Sequence, residues 1–305
     1  MSRIAYVNGR YQPHGSATVH IEDRGYQLAD GVYEVVAIVG GKMVDEDPHL
    51  DRLDRSLSEL RIKPPMARAA LKLVMREVIR RNGVRDGLIY MQMTRGVAPR
   101  DHKFPKQAET AVVIYARRRP IAAQIAQARR GVKAITVPDI RWDRCDIKSI
   151  ALLPNCLMKQ RAAEAGAYEA WQVAADGTVT EGSSTNAWIV TKAGELVTRP
   201  LSDAILSGIT RLTLLKIARE QGLKLVERPF TVAEALAARE AFVTSATSFV
   251  MPCIEIDGKP IGNGGVGLLC TALLDHYLAY IEREGEPVDA VPALRADAGT
   301  AQAAE

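Results

Sequence analysis

The sequence predicts a two-domain α/β (α+β) protein, and three observations carry that expectation. Its 305 residues, 47% apolar and 25% charged, suffice for two packed cores. Runs rich in Val, Ile and Tyr alternate with leucine-striped helical segments along the chain. Near the middle, the basic stretch RRRPIAAQIAQARR interrupts this alternation. It divides the chain into a small N-terminal domain (1–116), a connector (117–130) and a larger C-terminal domain (131–284), followed by a tail (285–305).

The first 40 residues read as short strands, RIAYVNGRYQP and then VYEVVAIVGGKMV, with Gly40-Gly41 as a hairpin turn. From about Pro48 a helix places Leu50, Leu53, Leu57 and Leu60 on one stripe, with Arg52 off it. A second helix, ARAALKLVMREVIRRNG, stops at Gly83 after a basic last turn. Two strands, LIYMQMTRG and TAVVIYARR, flank the loop VAPRDHKFPKQAE. The second half opens with the strand VKAITVPDI, then a helix near CLMKQRAAEAGA. Strands follow in EAWQVAADGTVTEGS and AWIVTKAGELVT, then a helix beginning at LSGITR. The segment LVERPFTVAEALAA reads as strand, turn and helix, AFVTSATSFVMPCIEIDGKPI as strands, and GLLCTALLDHYLAYIERE as the last helix. After Gly285 the chain is rich in Ala, Asp, Glu and Pro without aromatics, a composition that predicts disorder.

Composition excludes several functions. The net charge of +4 is too small to argue for nucleic acid or membrane binding. The N-terminus lacks the apolar stretch of a signal peptide, and no apolar run is long enough to span a bilayer. Four scattered cysteines without CxxC spacing fit reduced thiols in a cytoplasm. Five dispersed histidines predict no metal site. The run GNGGVG (Gly262–Gly267) satisfies GxGxxG, but its helix leads straight into the tail, so no βαβ unit can form. It reads as a Gly-rich turn.

Several polar segments have no packing explanation: EDRGYQLADGVYEVV, HLDRL with Arg52, TRGVAPRDH with Arg95, Arg100 and His102, DIKSI with Lys148, TEGSSTN with Glu181, LSGITR, and TSATS. The helix start at Gly208, Ile209 and Thr210 offers free amides and a partial positive charge suited to phosphate. TSATS adds hydroxyls and amides. Lys148 enters the apolar run SIALL, where it is exposed, paired, or kept as a reactive amine. Glu181, in a turn after a strand, suits a protonated heterocyclic nitrogen. The charged cluster Arg141–Asp146 reads as local pairing that holds the strand end. Phosphate, aldehyde and pyridinium together describe pyridoxal phosphate.

In that order, over roughly residues 3–282, these segments resemble fold-type IV pyridoxal-phosphate enzymes, most nearly the D-amino-acid aminotransferase branch. The resemblance implies a small N-terminal α/β sandwich, a larger C-terminal α/β pseudo-barrel, the cofactor in the cleft between them, and a homodimer. It implies that Lys148 forms the Schiff base and shuttles the proton, and that Glu181 pairs with the pyridine nitrogen. Arg52, Ile209, Thr210, Ser245 and Ala246 would hold the phosphate, with Leu206 under the ring. Tyr33, Arg100 and His102 would trap the substrate carboxylate, the latter two from the neighbouring subunit, with Ser183 and Ser184 also on the substrate side. The implied reaction is ping-pong transamination between D-amino acids and 2-oxo acids. Branched-chain or (R)-amine transaminases, an aminodeoxychorismate-lyase-like enzyme and a non-catalytic relative are the same-fold alternatives. Leu153, where branched-chain relatives carry tyrosine, and the Arg100–His102 pair argue against the branched-chain reading. Ala246 and Phe249 depart from residues common at the phosphate-side turn.

Overall fold

A computed structural model describes residues 3–289. The first half contains β1 (Ile4–Val7), β2 (Arg10–Pro13), α1 (Arg24–Leu28), β3 (Gly31–Val39), β4 (Lys42–Met43), α2 (Glu46–Glu59), α3 (Arg68–Asn82), β5 (Gly87–Thr94) and β6 (Ala111–Arg118). The antiparallel ladder β3–β5–β6 forms its centre, with Tyr33 opposite Gln92 and Gln92 opposite Val113. Strand alternation gives the two faces different tasks. Val32, Val36 and Ile38 join Ile89, Met91 and Met93 beneath the helices, where the α2 stripe Leu50, Leu53 and Leu57 closes the core. Tyr33, Tyr90 and Tyr115 stack on the opposite face, with ring centroids 5.8 and 5.0 Å apart.

The stretch read as a connector contains a helix, α4 (Ile121–Arg130), entered through Pro120. Its short stripe of Ile121, Ile125 and Ala128 packs on the second core. Flanking arginines on both sides mask that stripe in the sequence.

The second half comprises β7 (Val132–Pro138), α5 (Leu153–Glu164), β8 (Glu169–Val173), β9 (Val179–Gly182), β10 (Asn186–Val190), β11 (Leu196–Thr198), α6 (Ile209–Glu220), β12 (Leu225–Glu227), α7 (Val232–Ala237), β13 (Glu240–Ser245), β14 (Phe249–Ile256), β15 (Lys259–Pro260) and α8 (Leu268–Glu284). Its sheet runs β12-β11-β10-β13-β14-β7-β8-β9, with β15 on β14. Trp171, Trp188, Phe242 and Phe230 fill the core under α6 and α8. The tail expected to be disordered begins with a strand, β16 (Glu286–Pro287), which pairs with β4 and returns the chain to the first sheet. Residues 290–305 lie outside the described residues.

GNGGVG forms the turn between β15 and α8. The α8 amides of Leu269 and Cys270 donate to the Glu240 carboxylate at 3.1 and 2.7 Å. A side chain therefore already fills the position that a phosphate would need.

Candidate active site

A cleft of ≈ 330 Å³ is lined by Tyr33 from β3, Arg52 from α2, the Lys148 segment, the turn after β9, the start of α6 and the β13–β14 turn. Each wall arises from a local rule. Tyr33 reaches the cleft because alternation sends Val32 to the opposite face. Lys148 sits on an extended segment that borders β3: Tyr33 N–H donates to its carbonyl at 3.0 Å, and Val32 bridges Ser149. Its Nζ lies 4.1 Å from the Tyr33 ring centroid. No side chain among the described residues hydrogen-bonds or ion-pairs with that nitrogen. The run behind it is not core, since Ala151 and Leu153 are exposed. What surrounds the lysine is the cleft.

Glu181 is buried at the end of β9. Its Oε1 meets Arg141 Nη1, its Oε2 accepts from Asn186 Nδ2 at 2.9 Å, and Leu206 N–H approaches both oxygens at 3.2 Å. Arg141 is shared, because Asp139 takes its Nε and Nη2 at 3.0 and 2.8 Å. Two carboxylates thus divide one guanidinium in a desolvated pocket. Burial pushes the Glu181 carboxyl up to about 7, against the pull of Arg141, while Arg141 holds Asp139 below the ordinary range. With both acids ionised the trio lacks one positive charge, and Arg141 and Glu181 line the cleft.

This corrects the reading of Arg141 as local scaffold. Arg144 and Asp146 do pair locally at 2.9 Å, with Arg55 joining Asp146 at 2.6 Å. Arg141 also pairs locally, with Asp139, but it reaches in addition a residue forty positions later. Trp142 and Cys145 also line the cleft.

At the opposite end, α6 starts at Ile209 with Gly208 as its N-cap, and no side chain caps it. The buried amides of Ile209 and Thr210 find no acceptor among the described residues. Gly208 is required by close approach: a Cβ there would stand 2.0 Å from Asn186 Oδ1. Beside this helix start, Arg52 donates to Glu34 at 2.7 and 2.8 Å and to the Ser207 carbonyl at 2.8 Å. His49 contacts the same Glu34 carboxylate at 2.7 Å. Arg52 and His49 hold buried Glu34 far below the ordinary carboxylate range despite its desolvation. Ser245 and Ala246 complete this end, with the Ser245 hydroxyl 2.6 Å from that of Ser248. Phe249, at φ 55°, packs buried against Tyr277 behind the turn and does not line the cleft.

Leu206, Ser183 and Ser184 also line the cleft, but both serine hydroxyls donate to the buried Glu169 carboxylate rather than into it. Arg100 and His102 are exposed in the β5–β6 loop, outside the cleft lining. Sequence reasoning placed Glu34 in a polar segment without giving it a role, read Arg141 as scaffold, and missed His49 and Glu169. Only Glu34 inside an apolar strand run, with His49 and Arg52 flanking the leucine stripe, hinted at a buried cluster.

Chemically, the cleft presents an amine between an anion-binding helix start and a carboxylate cluster short of one cation. That donor set fits a phosphate-bearing heteroaromatic aldehyde with a protonatable ring nitrogen. Comparison with known proteins agrees. The class IV amino-transferase family model matches residues 31–256. A D-alanine aminotransferase of Bacillus licheniformis is 44% identical over 262 residues, covering 86% of this chain and 91% of that one. One from Staphylococcus aureus is 39% identical over 280 residues, covering 91% and 97%. Among solved structures, a branched-chain aminotransferase of Thermoproteus uzoniensis with norvaline superposes with TM-score 0.83 at 27% identity, covering 92% and 95%. The branched-chain aminotransferase of Escherichia coli shares the fold, with TM-score 0.86 at 21% identity, covering 94% and 97%. A PLP-bound aminotransferase from Mycobacterium tuberculosis shares it too, with TM-score 0.79 at 21% identity, covering 92% and 99%. The chain belongs to the class IV amino-transferases, pyridoxal-phosphate enzymes of fold type IV.

Proposed function

We propose that this enzyme exchanges amino groups between D-amino acids and 2-oxo acids, with pyridoxal phosphate in the cleft and Lys148 as its catalytic base. The observation that carries the chemistry is the Lys148 amine, unpartnered among the described residues, in a cleft with an uncapped helix start and a cation-poor carboxylate cluster. The D-specificity is supported by the D-alanine aminotransferases that match over most of the chain.

On this reading the bound cofactor supplies an electron sink for the charge left when the substrate Cα loses its proton. Lys148 Nζ takes that proton and returns it on the other side of the exchange. The Tyr33 ring beneath Nζ restricts the arc over which it swings. Glu181 would hold a proton on the ring nitrogen, and Arg141 with Asn186 fixes its carboxyl plane. The amides of Ile209 and Thr210, Arg52, and the Ser245–Ala246 turn receive the phosphate. Glu34 keeps the Arg52 fork facing that end. Leu206 packs against the ring.

Arg100 and His102, exposed on their own subunit, are read as the carboxylate trap of a second copy, so the working form is a homodimer. Tyr33 completes the trap, with the Ser183–Ser184 turn beside it. The small domain (1–116) and the large domain (131–284) are read as meeting at the cleft. No helix among the described residues is long and apolar enough to cross a membrane. The four free cysteines support a reducing, cytoplasmic setting.

The test is a half-reaction. The visible absorbance of the loaded enzyme should be lost on adding D-alanine and recover with pyruvate. A response to L-alanine alone would overturn the D-assignment.

A further inference from the structure

The segment EDRGYQLADG contributes no residue to the cleft, yet it buries three of its charges, Asp23, Arg24 and Asp30. Arg24 is 2% exposed and Asp30 is nearly as enclosed. Asp30 accepts Arg24 Nε at 2.7 Å and both Nε and Nη2 of Arg95 at 2.8 and 2.9 Å. Both guanidiniums also contact the β5–β6 loop, while Arg95 is held from the other side by the Arg61 and Leu60 carbonyls, to which it donates at 3.0 and 2.7 Å. Arg24 Nη1 donates to the Asp101 carbonyl at 2.5 Å. Arg95 lies 3.6 Å from the centroid of Phe104, an aromatic that is 47% exposed, and Arg61 flanks the same ring at 5.0 Å.

The loop spans residues 95–110, above the roughly 12–15 residues that a compact domain carries without a use for them. Arg100, Asp101, His102 and Lys103 are exposed and would be mobile if left to themselves. Instead the two arginines that share Asp30 grip the loop at Asp101 and Phe104, on either side of His102. Its base is closed by Gly96, where any Cβ would stand 1.9 Å from the Glu109 carbonyl oxygen.

We propose that Asp30, acting through Arg24 and Arg95, is the positioning centre that pre-organises the Arg100–His102 loop to receive the substrate carboxylate. The inference rests on the reading of Arg100 and His102 as a carboxylate trap. Asp30 and Phe104 do not touch substrate; they remove the ordering cost that two free side chains on a loose loop would bring to binding.

The experiment uses the loaded enzyme and three variants, Asp30→Asn, Phe104→Ala and Arg100→Ala. Steady-state kinetics with D-alanine are set beside the rate at which isopropylamine, an amine without a carboxylate, bleaches the visible absorbance. Phe104 is exposed, so its loss does not threaten folding if Asp30→Asn fails to fold. Phe104→Ala should raise KM for D-alanine roughly tenfold with little change in kcat, and leave the isopropylamine rate alone. If Arg100→Ala raises KM while Phe104→Ala and Asp30→Asn do not, the loop needs no anchor and the inference fails. Equal losses with both amines also overturn it. If Arg100→Ala leaves KM unchanged, the trap reading itself is wrong, and the inference falls with it.

Discussion

Replacing Glu181 by glutamine tests the charge balance of the cleft without using activity. In the folded protein, burial holds the Glu181 carboxyl at about 7, against an ordinary value of 4.5. Between those values the folded chain binds a proton that the unfolded chain has released, so stability falls as pH rises through that window. The gap corresponds to about 3 kcal/mol, and the side chain is buried enough that solvent screening does not erode it. Urea unfolding of the cofactor-free wild type and of Glu181→Gln, at steps from pH 4.5 to 8, isolates this group as a difference curve. The wild type should lose about 3 kcal/mol relative to the variant across the window, with most of the change below pH 7. On the proposed reading a cationic ring nitrogen beside Glu181 would stabilise the carboxylate, so the loaded protein should lack this slope. Parallel curves for the cofactor-free pair would refute the reasoning. So would a wild type that gains on the variant as pH rises, because then Arg141 rather than desolvation sets the state of Glu181. Asp139→Asn gives an internal check. With Asp139 neutral, Arg141 serves Glu181 alone, and the slope should move to lower pH.

Lys148→Ala should abolish transamination in a D-alanine/pyruvate assay. The melting temperature should move only slightly, because the side chain contributes no more than a cation–π contact of about 1 kcal/mol. Glu34→Gln leaves Arg52 buried without a charge partner and should cost about 3–5 kcal/mol at neutral pH in denaturant titration. The Glu34 carboxyl is held below its ordinary value, so its stabilisation is present above pH 4.5 and lost on acidification. The gap between wild type and Glu34→Gln should therefore narrow below that pH. Gly208→Ala should displace Asn186, whose Oδ1 would lie 2.0 Å from the new Cβ, and should weaken cofactor retention in equilibrium dialysis.

What was legible in the sequence was whatever depends on near neighbours. The leucine stripe of α2, the alternation that turns Tyr33 to the cleft and the LSGITR helix start all follow from local periodicity and capping. Lys148, Glu181 and Arg52 were legible as a set, because each stands in a polar segment that packing does not require. The helix α4 was hidden because its short run of small apolar residues lies between Arg117–Arg119 and Arg129–Arg130. Glu169 was hidden for a different reason: at the start of a β-strand, nothing marks a carboxylate whose donors, Ser183 and Thr185, arrive from the turn after the next strand, β9.

Arg141 shows where such reading stops. In the sequence it stands two residues from Asp143 and within five of Asp146, so local pairing accounts for it. In the fold, Arg144 and Arg55 satisfy Asp146, while Arg141 turns inward to Asp139 and Glu181. No spacing rule distinguishes the two outcomes, because Asp146 and Glu181 are both buried and the fold decides which guanidinium reaches which carboxylate. Glu181 gains strongly from a guanidinium because it is buried, and the chain delivers it only when β9 docks beside β8. Since Asp139 already claims half of that guanidinium, the pairing does not neutralise the cleft. It leaves a deficit of one positive charge, directed at the space that Lys148 borders. The residue read as scaffold thus sets how strongly the cleft demands a cation, and Asp139, two positions before it, sets how much of that demand remains unmet.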